Sequence, residues 1–200
     1  MNKIITLVLA VDQNNGLWKN NTLAWKLSSD MKYFKEITTA TLSSSKKNAV
    51  IMGRKTWESI PPKYRPLPGR LNCILSRKSP VEEGNFVYSS LEIALEELQK
   101  NDSIETIHII GWAQIYNQAI TKSLPQTIYL TQVHGDFSCD VFFSWIPENY
   151  DLVSMSDRQE ENGIQFQFCV YEKVREIKPL TNGKTLWEEN ASIILNVEEN

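Results

Sequence analysis

Apolar positions along this chain follow two rhythms. Residues 4–11 (Ile-Ile-Thr-Leu-Val-Leu-Ala-Val) form an almost unbroken β-branched run, ended by the turn chemistry of Asp12-Gln13-Asn14-Asn15-Gly16. Residues 49–52, 71–75, 107–110 and 128–131 repeat that habit in shorter form. Such runs predict strands covered on both faces, as in a parallel sheet. Between them the period lengthens. Leu27, Met31, Phe34 and Ile37 make the apolar face of a helix that Ser28 or Ser29 could cap. A short helix is expected from Thr56, stopped by Pro61-Pro62. Ser89 with Glu92 reads as a capping box ahead of Leu91, Leu95 and Leu98, and residues 113–120 as a further helix. Near the end, Ile164, Phe166, Phe168 and Val170 alternate with Gln165, Gln167 and Cys169. That strand has one buried face and is expected to be antiparallel. Strands alternating with helices imply an α/β fold, with helices flanking a central, mostly parallel, twisted sheet. The pattern decays after Lys173, so residues 1–175 read as one domain and 176–200 as a C-terminal tail.

Composition narrows the class. Two hundred residues, 42% hydrophobic and with six Trp, suit a packed domain of ordinary size. The longest apolar runs are strand-sized, so no membrane span is expected. Lys3 is followed by a short apolar run and then Asp12, which is not a secretory leader. Cys73, Cys139 and Cys169 are isolated, odd in number and without metal-ligand spacing. A reducing, cytoplasmic setting, no metal and a monomeric form are the expectation. The net charge of -3 argues against bulk nucleic-acid binding.

One segment departs from that acidic balance. Lys46 to Lys78 holds nine basic residues and one acidic residue. Gly53-Arg54-Lys55-Thr56 falls where a strand turns into a helix, and Ser76-Arg77 where the next strand ends. In parallel sheets ligands sit at the carboxyl ends of strands. Helix N-termini with cations and hydroxyls beside them suit phosphate. A solvated basic face explains the same spacing equally well. A second feature is Asp30, one carboxylate among Leu27, Met31 and Phe34. Its plainest role is to complement the helix dipole.

The block Met52-Gly53-Arg54-Lys55-Thr56-Trp57-Glu58-Ser59-Ile60-Pro61, then Arg65-Pro66-Leu67-Pro68-Gly69-Arg70 and Leu75-Ser76-Arg77, resembles dihydrofolate reductase in type, order and spacing. The similarity runs over roughly residues 3–174. It implies a sheet of about eight strands with an antiparallel C-terminal strand. It also implies NADPH-dependent reduction of 7,8-dihydrofolate to 5,6,7,8-tetrahydrofolate and binding of antifolates. By that resemblance Asp30 is the acid at the pterin, with Thr131 its partner, Trp25 holding a water and Leu23 nearby. Val8 and Ile110 offer carbonyls to the pterin amine. Ala10, Met31, Phe34, Ser59, Ile60, Leu67 and Tyr116 line the substrate, and Arg70 forks onto its glutamate carboxylate. Arg54, Lys55, Thr56 and Arg77 contact cofactor phosphates. Ala10, Leu17, Trp18, Gly53, Leu75, Ser76, Ser90, Gly111, Trp112, Ala113, Gln114 and Ile115 complete the cofactor site.

The departures fall at ligand positions. Trp18 and Trp112 stand where the family has glycine, Ala24 where it has proline, and Ser144 where a proline follows two phenylalanines. The family joins its two glycines at 111 and 112 by a cis peptide, which is costly outside proline. The expectation is that both indoles point outward and activity survives. The competing expectation is a cofactor-impaired paralogue that binds folate or another anion without turnover.

Overall fold

A computed structural model describes residues 2–20, 22–77, 86–111 and 113–174. The expected tail, and Trp112 with the peptide before it, lie outside the described residues. In chain order the strands are β1 (Ile4–Val11), β2 (Gly16–Trp18), β3 (Lys47–Gly53), β4 (Arg70–Leu75), β5 (Phe86–Tyr88), β6 (Ile104–Gly111), β7 (Thr127–His134), β8 (Val141–Phe142), β9 (Tyr150–Met155), β10 (Gln159–Glu161) and β11 (Ile164–Lys173). The helices are α1 (Ser28–Thr39), α2 (Arg54–Ser59), α3 (Leu91–Lys100) and α4 (Ala113–Thr121).

The main sheet runs β10-β11-β7-β1-β6-β3-β4-β5, with β9 also paired to β11. From β7 to β5 every neighbour is parallel, and β11 is antiparallel to β7. This is the α/β class expected. The main sheet has nine strands among the described residues, and β2 with β8 forms a separate pair. Strands β2, β5, β8 and β10 are two or three residues long, too short to leave a periodic signal.

The continuous apolar runs are explained by burial on both faces. Leu7, Leu9, Ile107 and Ile109 face the side covered by Leu91, Leu95 and Leu98 of α3 and Ile115 and Ala119 of α4. Val8, Val50, Met52, Ile74 and Ile110 face the other side, with Trp57 of α2 and partly buried Phe34 and Ile37 of α1.

Three local expectations change. α1 begins at Ser28 after an extended Leu27, and neither serine caps it with its side chain. α2 begins at Arg54, not Thr56, and a single 3-10 turn at Pro62–Tyr64 follows it. The cap of α3 is Ser90 rather than Ser89: its Oγ accepts from the Ile93 N–H at 3.3 Å. Glu92 does not reach back as a capping box would. It accepts from Gln118 at 2.8 Å and from Lys122, tying α3 to α4.

One polar pair sits in the core beneath α1. Thr6 of β1 and His108 of β6 are register partners, both nearly inaccessible, and their Oγ1 and Nδ1 lie 2.7 Å apart. Burial, with the Arg70 charge adding to it, lowers the imidazole from 6.5 to about 4. The unfolded chain therefore takes up a proton near 6.5 that the folded chain refuses until about 4. Stability from neutral His108 is complete above 6.5 and is lost as pH falls between those values. The gap corresponds to roughly 3 kcal/mol. His108→Leu is expected to flatten the stability curve over that window, read from urea unfolding at stepped pH.

Candidate active site

A cleft of about 860 Å³ opens between α1 and the carboxyl ends of β1, β6 and β7. Its wall is mostly apolar, so the few polar groups in it stand out. Asp30, the third residue of α1, is 6% exposed. The Thr131 hydroxyl donates to its Oδ1 at 2.6 Å. That bond and the charge of Glu161 act on the acid in opposite directions. Desolvation is the larger effect, and it raises the carboxyl above its ordinary value. Trp25 is buried against Phe137, and its Nε1 has no acceptor among the described residues. Tyr116 of α4 is also buried and donates to the Val8 carbonyl at 2.9 Å.

The second polar group is Arg70, at the start of β4. It is 9% exposed. Its Nη1 donates to the Thr38 hydroxyl at 2.7 Å and its Nε to the Pro68 carbonyl at 3.1 Å. Its guanidinium lies 5.6 Å from the Phe34 ring centroid. The remaining N–H groups are thus aimed by partners that hold the fork in place. Burial lowers its proton affinity, so an anion would gain from reaching it.

All of the residues expected at the substrate line this one cleft. From β1 and β6 come Val8, Ala10 and Ile110; from α1, Asp30, Met31 and Phe34. Ser59, Ile60, Leu67 and Arg70 close one side, and Tyr116 and Thr131 the floor. Trp25 and Leu23 line it too. Met31, on the apolar face of α1 and expected at the substrate, is 48% exposed and lines the cleft. Sequence reading missed Tyr33 and Lys35, which also line it. Tyr33 stacks on Phe168 at 4.0 Å between centroids, and its place three residues from Asp30 on a helix was a usable signal.

The residues expected at the cofactor divide. Ala10, Leu17, Trp18 and Thr56 line the cleft. Gly53, Leu75 and Gly111 end three adjacent strands, β3, β4 and β6, with Gly53 opposite Leu75 and Met52 opposite Gly111. Arg54 begins α2 beside Lys55, and is paired to Glu58 at 2.6 Å. Ser76 donates its N–H to the Tyr88 carbonyl at 2.9 Å, and Arg77 is exposed next to it. The Ser90 hydroxyl is occupied as a helix cap. Ala113 and Gln114 open α4, and Ile115 is buried in the core without lining the cleft.

A sequence profile described as dihydrofolate reductase matches residues 4–173. The chain belongs to the dihydrofolate reductase family. It is 40% identical over 181 residues to a dihydrofolate reductase of Sus scrofa, covering 84% of this chain and 97% of that one. It is 37% identical over 175 residues to a dihydrofolate reductase of Drosophila melanogaster, covering 84% and 96%. A bifunctional dihydrofolate reductase-thymidylate synthase of Arabidopsis thaliana is 38% identical over 200 residues, and the chain spans 35% of its length.

Two family glycine positions are resolved differently by this dihydrofolate reductase fold. At Gly111 a Cβ would lie 2.4 Å from the Thr56 Cγ2 and 2.7 Å from its Oγ1. Only glycine fits that approach between β6 and α2. Gly111→Ala is expected to push Thr56 aside and to cost roughly 1–3 kcal/mol by overpacking, which thermal melting checks. Trp18 is not turned outward as expected. It pairs with Val141, accepts the Asp140 N–H at 2.9 Å through its carbonyl, packs on the core and lines the cleft. A large indole gains more by covering apolar surface than by standing in water. No helix among the described residues is long and apolar enough to cross a membrane.

Proposed function

We propose that this chain reduces 7,8-dihydrofolate to 5,6,7,8-tetrahydrofolate, with NADPH as the hydride source. The observation that carries this reading is the pairing, in one apolar cleft, of a buried carboxyl with a buried guanidinium. A pterin needs an acid that reads its amide and amine; the glutamate end of folate needs a fork for a carboxylate. Asp30 and Arg70 supply those two chemistries from opposite ends of the α1 face of the cleft.

The cofactor residues fit the same reading. The carboxyl ends of β3, β4 and β6 lie side by side, and the glycine at the end of β6 lets backbone come close. Arg54, Lys55, Thr56 and Arg77 are the groups expected to hold its phosphates, and the cations among them favour the extra phosphate of NADPH over NADH. When bound, the nicotinamide supplies the hydride.

The chain's own residues would do the rest. Val8, Ala10, Phe34 and Ile110 orient the ring and exclude water, which strengthens every polar contact inside. Asp30 binds the pterin amide and amino group, held by Thr131. Its raised proton affinity helps a proton reach the ring nitrogen near neutral pH. Trp25, whose Nε1 has no acceptor among the described residues, would orient the water that relays that proton. Trp18 at the cleft would cover the reacting face in place of the family's glycine.

The test is steady-state absorbance at the NADPH band with dihydrofolate supplied, alongside NADH. Turnover favouring NADPH is expected. No turnover at high enzyme and cofactor concentration overturns the reading, and antifolate binding without cofactor binding would favour the binding-only alternative.

A further inference from the structure

Glu161 ends β10, far from the cleft in sequence, yet it holds the helix that carries the acid. Its Oε1 accepts from the Ser28 N–H at 2.7 Å and its Oε2 from the Ser29 N–H at 2.9 Å. Those are the first two residues of α1; Asp30 is the third. The first amides of a helix have no acceptor within it. Leu27, in the cap position, has no side chain to give them. A carboxylate is the strongest substitute, since it adds charge-assisted bonds to a favourable dipole.

The same corner of the sheet holds Asp30 from its other side. β10 pairs with β11, β11 with β7, and β7 carries Thr131, which donates to Asp30 at 2.6 Å. One end of the acid's surroundings is therefore anchored twice to one antiparallel block. Thr131 meets the side chain; Glu161 meets the backbone just before it. A slack clamp would let the first turn of α1 rotate away from Thr131.

We propose that Glu161 is a positioning residue for the acid of the cleft, locating Asp30 by clamping the two amides that precede it. This rests on the reading that the cleft reduces dihydrofolate at Asp30. The charge acting on Asp30 is Glu161 from β10, and Thr131 from β7 is its neutral donor; Tyr33 on its own helix and Tyr116 from α4 face it as neutral phenols, raised chiefly by burial and further by the Asp30 charge. The Ser28 and Ser29 amides hold Glu161 down at about 2, so it remains an anion throughout the working range. Its charge also acts on Asp30 in the same direction as burial.

The experiment compares the whole chain with Glu161→Gln and Ser28→Pro. Gln keeps the length and one acceptor oxygen but drops the charge. Proline removes one clamped N–H at the first helical position, where it is tolerated, and the extended Leu27 before it accepts a following proline. Asp30 is titrated by carbon NMR of the aspartate carboxyls, its signal identified by loss in Asp30→Asn. In Glu161→Gln its midpoint is expected to move to lower pH by roughly half a unit, the scale of one charge acting across partly exposed surface. In Ser28→Pro the Glu161 charge remains, so a slackened clamp that draws Asp30 from Thr131 moves the midpoint to higher pH. kcat for dihydrofolate at neutral pH falls about threefold in Glu161→Gln, with KM for NADPH unchanged. The Glu161→Gln shift reads the lost charge, so a midpoint that stays at the wild-type value in Ser28→Pro, whatever happens to the melting temperature, overturns the proposal and leaves Glu161 a helix cap only. Absence of turnover in the unmutated chain removes the functional reading instead, and the NMR titration still decides the clamp.

Discussion

Asp30→Asn is expected to lower kcat for dihydrofolate by about 10²–10⁴-fold at neutral pH, while the folded protein becomes more stable. The first effect follows from chemistry. Asn keeps an oxygen to accept from the Thr131 hydroxyl, so the local geometry survives. It has no titratable proton and presents an amide where the pterin requires a carboxylate. The second effect follows from burial. Desolvation holds the Asp30 carboxyl above 3.8, so its charged form is disfavoured in the fold relative to the unfolded chain. Below 3.8 both states are protonated and there is no penalty. As pH rises from 3.8 toward the folded value the penalty grows, and above the folded value it is complete. The Asn variant therefore gains its stability at neutral pH, and the gain shrinks as pH falls toward 3.8. Single-turnover rates and urea unfolding at two pH values test both halves. A variant that lost activity and stability together would instead identify Asp30 as structural. His108 gives the opposite pH trend in the same protein, since its burial disfavours the protonated form.

The fold was legible where one physical signal dominated. Residues 4–11 read as a doubly covered strand because Leu7 and Leu9 face one cluster and Val8 the other. β11 is antiparallel as expected, but its alternation does not survive: Gln167 and Cys169 are buried along with Phe166, while Ile164, Phe168 and Val170 are only half-buried, because the sheet is covered on both faces here. The site was legible through resemblance more than through pattern. Nothing in local spacing brings Arg70 to the Thr38 end of α1, yet that contact orients the fork. What stayed hidden was set by distant partners. Ser28 looked like a cap, but the acceptor for its amide is Glu161, separated by 133 positions. Ser89 with Glu92 has the spacing of a capping box, but α3 starts at the buried Leu91 and Ser90 takes the cap position. Trp18 carried no hint of direction, because the strand that pins it, β8, has two residues.

Arg70→Leu is expected to raise KM for dihydrofolate by about 10²-fold or more, with kcat changed far less. Losing one partner of a buried, hydrogen-bonded charge pair costs about 2–5 kcal/mol, and each factor of ten is about 1.4 kcal/mol. Arg70 binds Thr38, eight positions after Asp30 on α1, so the two anchors stand roughly 12 Å apart along the helix. A group that far from the reacting ring holds substrate and transition state alike, which moves KM rather than kcat. Leu fills the site beside Phe34 without a charge to bury, and leaves the Thr38 hydroxyl bonded to the Phe34 carbonyl at 2.7 Å, so folding is preserved. Arg70→Lys is expected to recover only a small part of the loss, because an ammonium cannot make the paired contact of a guanidinium. The discriminating substrate is dihydropteroate, which lacks the glutamate. Wild type and both variants should reduce it with similar KM values. If Arg70→Leu weakened dihydropteroate as much as dihydrofolate, Arg70 would be holding the shape of the cleft rather than the carboxylate. The lowered proton affinity that burial imposes on the guanidinium supports the carboxylate role, since an anion seated on the fork restores part of what desolvation removes.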